Sequence, residues 1–390
     1  MVVAVTMTKT KLKNVCDRIT VGHVGPMADK YTPDGVPFLR SQNITPFRLH
    51  LEDIKFVPRD FHELLRKSAL RPGDVAVVRT GYPGTACVIP ETLPESNCAD
   101  LVVITPSKNL NPYFLAAIFN SAWGKSSVAG NLVGVAQQHF NVGAAKEMEV
   151  TIPSRAMQVR IAGILSAYDD LIENNLRRIR ILEEMARALY REWFVHFRVP
   201  GHERIARVDS PLGSIPRGWN VMQVKDVLTR RPSGQVYRES DVSPEGSVPV
   251  VDQSTAELIG FHDNEPDHPA SPDSPIAIFG DHTCKMELLV QPFSIGPNVV
   301  AFTTQLDRPL GYVFFAVRGL VQTQEYKRHW TQLNAKQVMV ADRSMAEQFA
   351  DHVRPSLHQI EVLRRTNRAL CRSRDLLLPR LIGGQIALAP

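Results

Sequence analysis

Arginine presents a planar fork of donors that fits the O6 and N7 acceptors of guanine, and the amide of glutamine or asparagine fits N6 and N7 of adenine. Side chains of these types recur in turn-rich stretches that follow short apolar runs. In the first half they are Arg40, Gln42 and Asn43 in FLRSQNIT, Arg79, Thr80 and Tyr82 in RTGYPGT, and Gln138 and His139 in AQQHFN. In the second half they are Gln253 and Ser254 after VPVV, His282, Thr283 and Lys285 in GDHTCKM, and Lys327 and Arg328 in QEYKRH. Taken singly, each is more readily a solvated loop residue or a phosphate contact. As a set on loops, they have the chemistry to read base edges in a major groove. The formal net charge of +5 permits a polyanionic partner without demanding one.

Residues that would perform bond-making chemistry are harder to find. An amino-methyltransferase needs an Asp/Asn-Pro-Pro-aromatic loop, and Asn111-Pro112-Tyr113 has one proline and opens a helix. Gly124-Lys125-Ser126 has the ending of a phosphate loop, but Phe119 stands where the earlier glycine is required, and the string follows a helix rather than a strand. Glu325-Tyr326-Lys327 is half of a nuclease-type motif whose other acid, Asp273, lies far upstream; a surface helix is the simpler reading. His262, His268, His282 and Cys284 have no metal-ligand spacing, and the five cysteines are odd in number and scattered, as in a reducing cytoplasm. No catalytic residue and no metal site is expected. The N-terminus has no long apolar core, and nowhere do about 18 uncharged apolar residues run together, so neither export nor membrane spanning is expected.

The elements that must position the loops are two modules and two helices. From about Ser154 to Phe197 an apolar seam, Ile161, Leu165, Tyr168, Ile172, Asn175, Ile179, Leu182, Ala186, Leu189, Trp193, alternates steps of four and three. Such a heptad seam keeps one stripe against a partner helix while charged residues fill the other positions. Ile161 to Trp193 spans about 48 Å at ~1.5 Å per residue, longer than an ordinary domain core, which argues against a helix packed only on its own module. Ser154 is the expected N-cap. A second seam follows from Ser344 to Leu378 through Phe349, Val353, Ile360, Leu363, Asn367, Leu370 and Leu377, with Ser344 and Glu347 as a capping box and Pro355 expected to kink its first turns. Asn175 opposite Asn367 would bring Ile179 opposite Leu363; a buried Asn penalises other registers, and a partly solvated seam position is an equal alternative.

Preceding each helix is a stretch of short β-rich runs and turn signals. Lys13, Val15, Val36 and Pro37 match Lys225, Val227, Val248 and Pro249; Val75-Ala76-Val77 matches Ile276-Ala277-Ile278; Leu101-Val102 matches Val299-Val300; and Asn141 matches Asn334. The offset between halves shrinks steadily, as for two copies of one unit of which the second lacks loop residues. If the helices pack antiparallel, an approximate two-fold axis relates the modules, and two readers about one helical turn apart, ~34 to 36 Å, suit one face of duplex DNA.

In this arrangement the chain resembles the specificity subunit of a type I restriction-modification enzyme. The resemblance is carried by GVPFLRSQNIT, GDVAVVRTGYPGTACVI, HFNVGAAKEMEVTIPS, the helix ILSAYDDLIENNLRRIRILEEMARALYREWFVHF, the opening IPRGWNVMQVKDVL and the ending LLLPRLIGGQI. It departs in the second half, where RPSLHQIEVL carries Pro355 and FGDHTCKM replaces RTGYPGT. The resemblance implies a mixed α/β chain: target-recognition domain 1 (residues 1–153), a central helix (154–198), a linker (199–213), target-recognition domain 2 (214–343) and a C-terminal helix and tail (344–390). It implies that each domain reads half of a bipartite double-stranded DNA target. The antiparallel helices would set the spacer and, through faces including Arg177, Arg178, Glu183, Glu184, Arg187 and Arg191, dock two methyltransferase subunits. S-adenosylmethionine, ATP and Mg2+ would then belong to those partners and to restriction/translocase subunits, in the cytoplasm. The competing class is a duplicated coiled-coil scaffold without sequence readout.

Overall fold

The computed structural model describes residues 7–132, 139–201, 203, 205–254, 258–323, 328–382 and 386. It divides into two compact units, residues 1–174 with 367–390 and residues 175–366. Each unit contains one module and a share of both long helices.

The first unit runs β1 Thr8–Lys11, β2 Cys16–Val21, β3 Val36–Leu39, β4 Ile44–Thr45, β5 Arg48–Leu49, β6 Lys55–Val57, α1 Arg59–Leu64, β7 Val75–Val78, β8 Ala86–Val88, β9 Asn97–Cys98, β10 Leu101–Pro106, α2 Pro112–Asn120, α3 Ala122–Ala129, α4 Val142–Glu147, β11 Glu149–Ile152 and the start of α5 Arg155–Tyr190. An antiparallel sheet in the order β2-β10-β7-β8 forms the centre. β7, β8 and the first four residues of β10 are apolar because both faces are covered, whereas the edge strand β2 carries Asp17 and Arg18. Val75, Val77, Val102 and Ile104 pack with α2 on one side, whereas Ala76, Val78, Leu101 and Val103 pack on Leu39 and Ile44 on the other. A mixed sheet, β6-β3-β9, and the pairs β1-β11 and β4-β5 complete the module.

Gly124 has a structural duty here. A Cβ on it would stand 2.0 Å from the carbonyl oxygen of Ile118, so the sharp corner between α2 and α3 needs a glycine. Ser121 caps α3 by accepting the Gly124 amide at 2.9 Å, and Asn111 caps α2 by accepting from Phe114 at 3.1 Å.

The second unit takes the remainder of α5, then β12 Arg207–Ser210, β13 Gly213–Pro216, β14 Asn220–Gln223, β15 Leu228–Arg230, β16 Val248–Val251, β17 Gly260–His262, β18 Ile276–Gly280, β19 Met286–Leu289, β20 Ser294–Ile295, β21 Val299–Thr304, α6 Leu310–Val317, α7 His329–Asn334, β22 Gln337–Val340 and most of α8 Arg343–Ile382. Three of its sheets repeat those of the first unit, β15-β21-β18-β19, β17-β16-β20 with one parallel pair, and β14-β22, whereas the hairpin β12-β13 is its own. The duplication is therefore one of topology, and strand pairing and helix position each correct its alignment in one place. Val75 pairs with Ile104, and Ala277 pairs with Phe302, so the counterpart of Val75 is Ala277 and not Ile276. A one-residue slip exchanges the two faces of a strand, and a continuously apolar run hides that slip from sequence comparison. Asn141 caps the start of α4, whereas Asn334 is the last residue of α7, so those two asparagines are not equivalent.

Both long helices bury the seam read from the sequence, with adjustments. In the first unit Ile161 and Leu165 lie in one core with Leu378 and Leu381, and Asn367 donates to the carbonyl of Ile172 at 3.4 Å. Leu377 and Leu370 are only partly buried. In the second unit Ile179 and Leu182 pack on Ile360 and Leu363, while Ala186, Leu189 and Trp193 meet Phe349 and Val353. Asn175 is buried. Within each unit the two helix segments thus run antiparallel.

Ser154 does cap α5, accepting from Met157 at 3.4 Å. The helix passes into a π-helical turn, Arg191–Val195, and Phe197 adopts φ 56°, which stops it. For α8 the cap is Asp342, which accepts from Met345 at 3.0 Å; Ser344 lies inside the first turn, and Glu347 pairs with Arg343 at 2.7 Å. The expected Ser344 capping box is absent because the helix and its cap begin two residues earlier. Pro355 does not break α8, which is continuous from Arg343 to Ile382; its ring is on an exposed face, where water can satisfy the freed carbonyl of the preceding turn.

Candidate nucleic-acid interface

Three of the loops proposed from the first half converge. Asp100, in the left-handed region at φ 52°, sits just before β10. Its carboxylate lies 3.5 Å from the guanidinium of Arg79, and its carbonyl accepts from Ser41 at 3.4 Å. The amide of Phe140 donates to the carbonyl of Arg79 at 3.1 Å, which places His139 beside the same loop. Between β7 and β8 the chain turns tightly: Val78 donates to Thr85 at 2.7 Å and Gly84 to Val78 at 3.0 Å, with Gly81 and Gly84 at φ 82° and 89°. Thr80 accepts the Tyr82 amide at 3.2 Å. Tyr82 stands at the tip, 84% exposed, an aromatic side chain with no packing role.

The turn after β3 has a different character. Arg40 reaches Asp53 through both its carbonyl and, at 3.0 Å, its carboxylate; Gln42 donates to the same carboxylate at 2.9 Å. The hydrogen bond from Arg40, with help from Lys55, holds the Asp53 carboxyl below its ordinary range. Asn43 is 2% exposed; its Oδ1 accepts the Arg40 amide at 2.9 Å and its Nδ2 donates to His50 at 3.0 Å. Asn43 therefore shapes the turn instead of facing a ligand. Sequence reasoning missed Asp53 and Asp100, the acids that hold the arginines; acidic residues in turns close to candidate arginines were the available signal.

The second unit gathers its candidates equally closely. Gln253 Oε1 accepts the His282 amide at 3.0 Å, and its carbonyl accepts from Thr283 at 2.7 Å. Ser254 donates to Asp252 at 2.6 Å, and Lys285 donates to the Asp252 carbonyl at 3.1 Å. The amide of His329 donates to the Asp281 carbonyl at 2.8 Å, which brings exposed Arg328 to this cluster. Gln138 and Lys327 lie outside the described residues, as does Glu325-Tyr326-Lys327.

With the strands aligned by pairing, Arg40 corresponds to Asp252 and Arg79 to Asp281. The two loop clusters thus share a position in the fold and carry opposite charge at two equivalent points. Two histidines of the second unit have packing roles. His262 stacks on Tyr237 at 4.1 Å and accepts the Asn264 amide at 3.1 Å, while His268 packs on Phe293. Among the described residues no group of three His, Cys, Asp or Glu is placed to hold a metal ion.

Residues 9–184 match the family model described as the type I restriction modification DNA specificity domain. This stretch, somewhat under half of the chain, is similar to that domain. The chain is 25% identical over 62% of its length to the type I restriction enzyme MjaIX specificity subunit of Methanocaldococcus jannaschii, covering 61% of that protein. It is 23% identical over 65% of its length to the putative MjaX specificity subunit of the same organism, covering 54%. It therefore spans less than two thirds of either curated relative. The crystal structure of the S subunit of a type I restriction-modification system from M. genitalium shares its fold, with a TM-score of 0.57 over 97% of this chain and 96% of that one at 15% identity.

In the first unit an ion network ties the module to the helices. Arg48 on β5 donates to the Asp169 carbonyl at 2.8 Å and pairs with Glu173 at 3.0 Å. Arg374 on α8 pairs with Asp169 at 2.7 Å and lies 4.9 Å over the Phe47 ring. Burial raises the Asp169 carboxyl above its ordinary value although Arg374 and Arg48 pull it down. Arg374 thus occupies a seam position that an apolar pattern does not reveal. The second unit uses Arg364 in the same way, bridging Glu287 on β19 and Glu183 on α5. Of the outer-face residues, Arg177, Arg178, Glu184 and Arg191 are exposed, whereas Glu183 and Arg187 pair with each other at 3.2 Å.

Proposed function

We propose that this chain is the DNA-recognition subunit of a type I restriction-modification complex, in which each module reads one half of a bipartite double-stranded target. The observation that carries the proposal is the duplicated module with its polar loops at one equivalent position, of which the first copy is similar to a type I specificity domain. Charge reversal from Arg40 and Arg79 to Asp252 and Asp281 supports an asymmetric target. Arginine donates to guanine edges and carboxylates accept from cytosine N4, so the copies present different hydrogen-bonding patterns.

On this reading the helices set the unread gap and offer docking faces to two methyltransferase subunits, with restriction/translocase subunits joining them. The chain itself selects the site and catalyses nothing. S-adenosylmethionine, ATP and Mg2+ act in the partner chains, in the cytoplasm. No helix among the described residues is long and apolar enough to cross a membrane. The test is footprinting of DNA by the chain with its methyltransferase partner. Two protected half-sites separated by an unprotected gap are expected, and a single continuous or sequence-independent footprint would sink the proposal.

A further inference from the structure

A cleft of about 550 Å³ opens at the end of the central sheet of the first unit, among Arg18, Arg71, Asp74, Thr105, Lys108 and Arg155. Arg18 and Asp74 are committed to each other. They pair at 2.7 Å, Thr105 donates to the other Asp74 oxygen at 2.5 Å, and the Asp74 side chain is 2% exposed. That pair is neutral. The remaining cations, Arg71, Lys108 and Arg155, are exposed, and none forms an ion pair among the described residues. The amino ends of α2, at Pro112, and of α5, at Arg155, border the same space and add positive potential. Three uncompensated charges around one concavity repel each other, an arrangement that an anion relieves.

Two observations separate this cleft from the recognition loops. It lies at the Val75/Ile104 end of the paired strands, whereas Arg79 and Asp100 lie at the Val78/Leu101 end; Asp74 and Arg79 are ~16 Å apart along the chain at ~3.3 Å per residue. The second module does not repeat it. Asp273 stands at the position of Arg71, Leu306 at that of Lys108, and Arg343, the counterpart of Arg155, is paired with Asp307 and Glu347. A backbone contact serving both half-sites would be present in both copies.

We infer that the cleft binds a free oligophosphate, of the kind carried by a nucleotide, through Arg71, Lys108 and Arg155. Its volume is within the ~300 to 1,000 Å³ of small-molecule sites. The test is calorimetric titration of the full chain with inorganic tripolyphosphate at low salt. We expect one saturable site, weakened about tenfold by each of Arg71→Ala, Lys108→Ala and Arg155→Ala, as for loss of one charge-assisted contact. Arg79→Ala should leave it unchanged. The three substituted side chains are exposed, and circular dichroism should confirm that the variants fold. Absence of saturable binding, equal weakening by Arg79→Ala, or displacement of tripolyphosphate by a non-specific duplex would each overturn the inference.

Discussion

Removal of Arg374 from the helix seam is expected to have a stability cost with a distinctive pH dependence. The Arg374 side chain is 11% exposed and Asp169 15%, so Arg374→Ala leaves a shielded carboxylate without its cation and removes the contact over Phe47. Breaking such a pair from one side costs roughly 3 kcal/mol at neutral pH, equivalent to a fall of roughly 1 M in the urea midpoint at a typical slope. The pH dependence follows from Asp169. Its folded pKa is already raised by burial, and loss of Arg374 raises it further. A group whose folded pKa exceeds its unfolded value contributes stability that is fully present below the unfolded value and lost as pH rises through the folded one. In the variant that loss extends to higher pH, so the gap to the parent protein should narrow as pH falls from 7 toward 4. Adding Asp169→Asn should restore much of the midpoint at pH 7. Urea titrations at several pH values decide the matter. A gap that is constant or widens on acidification, together with no rescue by Asp169→Asn, would refute the view that Arg374 acts by neutralising Asp169.

Four other outcomes follow from the same structure. Tyr82→Ala should leave the thermal midpoint within experimental scatter, because the ring packs on nothing, yet weaken DNA binding about tenfold in fluorescence anisotropy if the ring stacks on or against bases. Arg79→Ala should relax discrimination in one half-site alone, and overall affinity should fall steeply with salt as phosphate contacts release counterions; equal loss in both half-sites, or a flat salt response, would contradict the modular reading. Inserting four residues into α5 should change the preferred gap in methylome comparisons while both half-sites persist. Gly124→Ala should destabilise the first unit by roughly 2 kcal/mol or more in urea titration, since the added methyl meets the Ile118 backbone.

The loops that gather at Asp100 were partly legible because turn chemistry and base-reading side chains share the same short stretches. Their roles were not. Arg40 and Asn43 belong to one turn and look alike as candidates, but one is held at the surface by Asp53 and the other is consumed by backbone groups. Charge reversal between the modules was likewise hidden, because it depends on aligning Arg79 with Asp281 through the partners of β7 and β18.

By itself the order of residues determined the two long helices, the duplicated module and the lack of a recognisable catalytic motif. Heptad steps, apolar runs and motif spacing are local properties, written at separations of a few residues. Tertiary structure alone decided which strand face meets α2, that Arg374 enters the seam, and that three unpaired cations share a cleft. Each of these depends on groups far apart in the chain, where burial and the pairing of charge, rather than any local preference, set the lowest free energy.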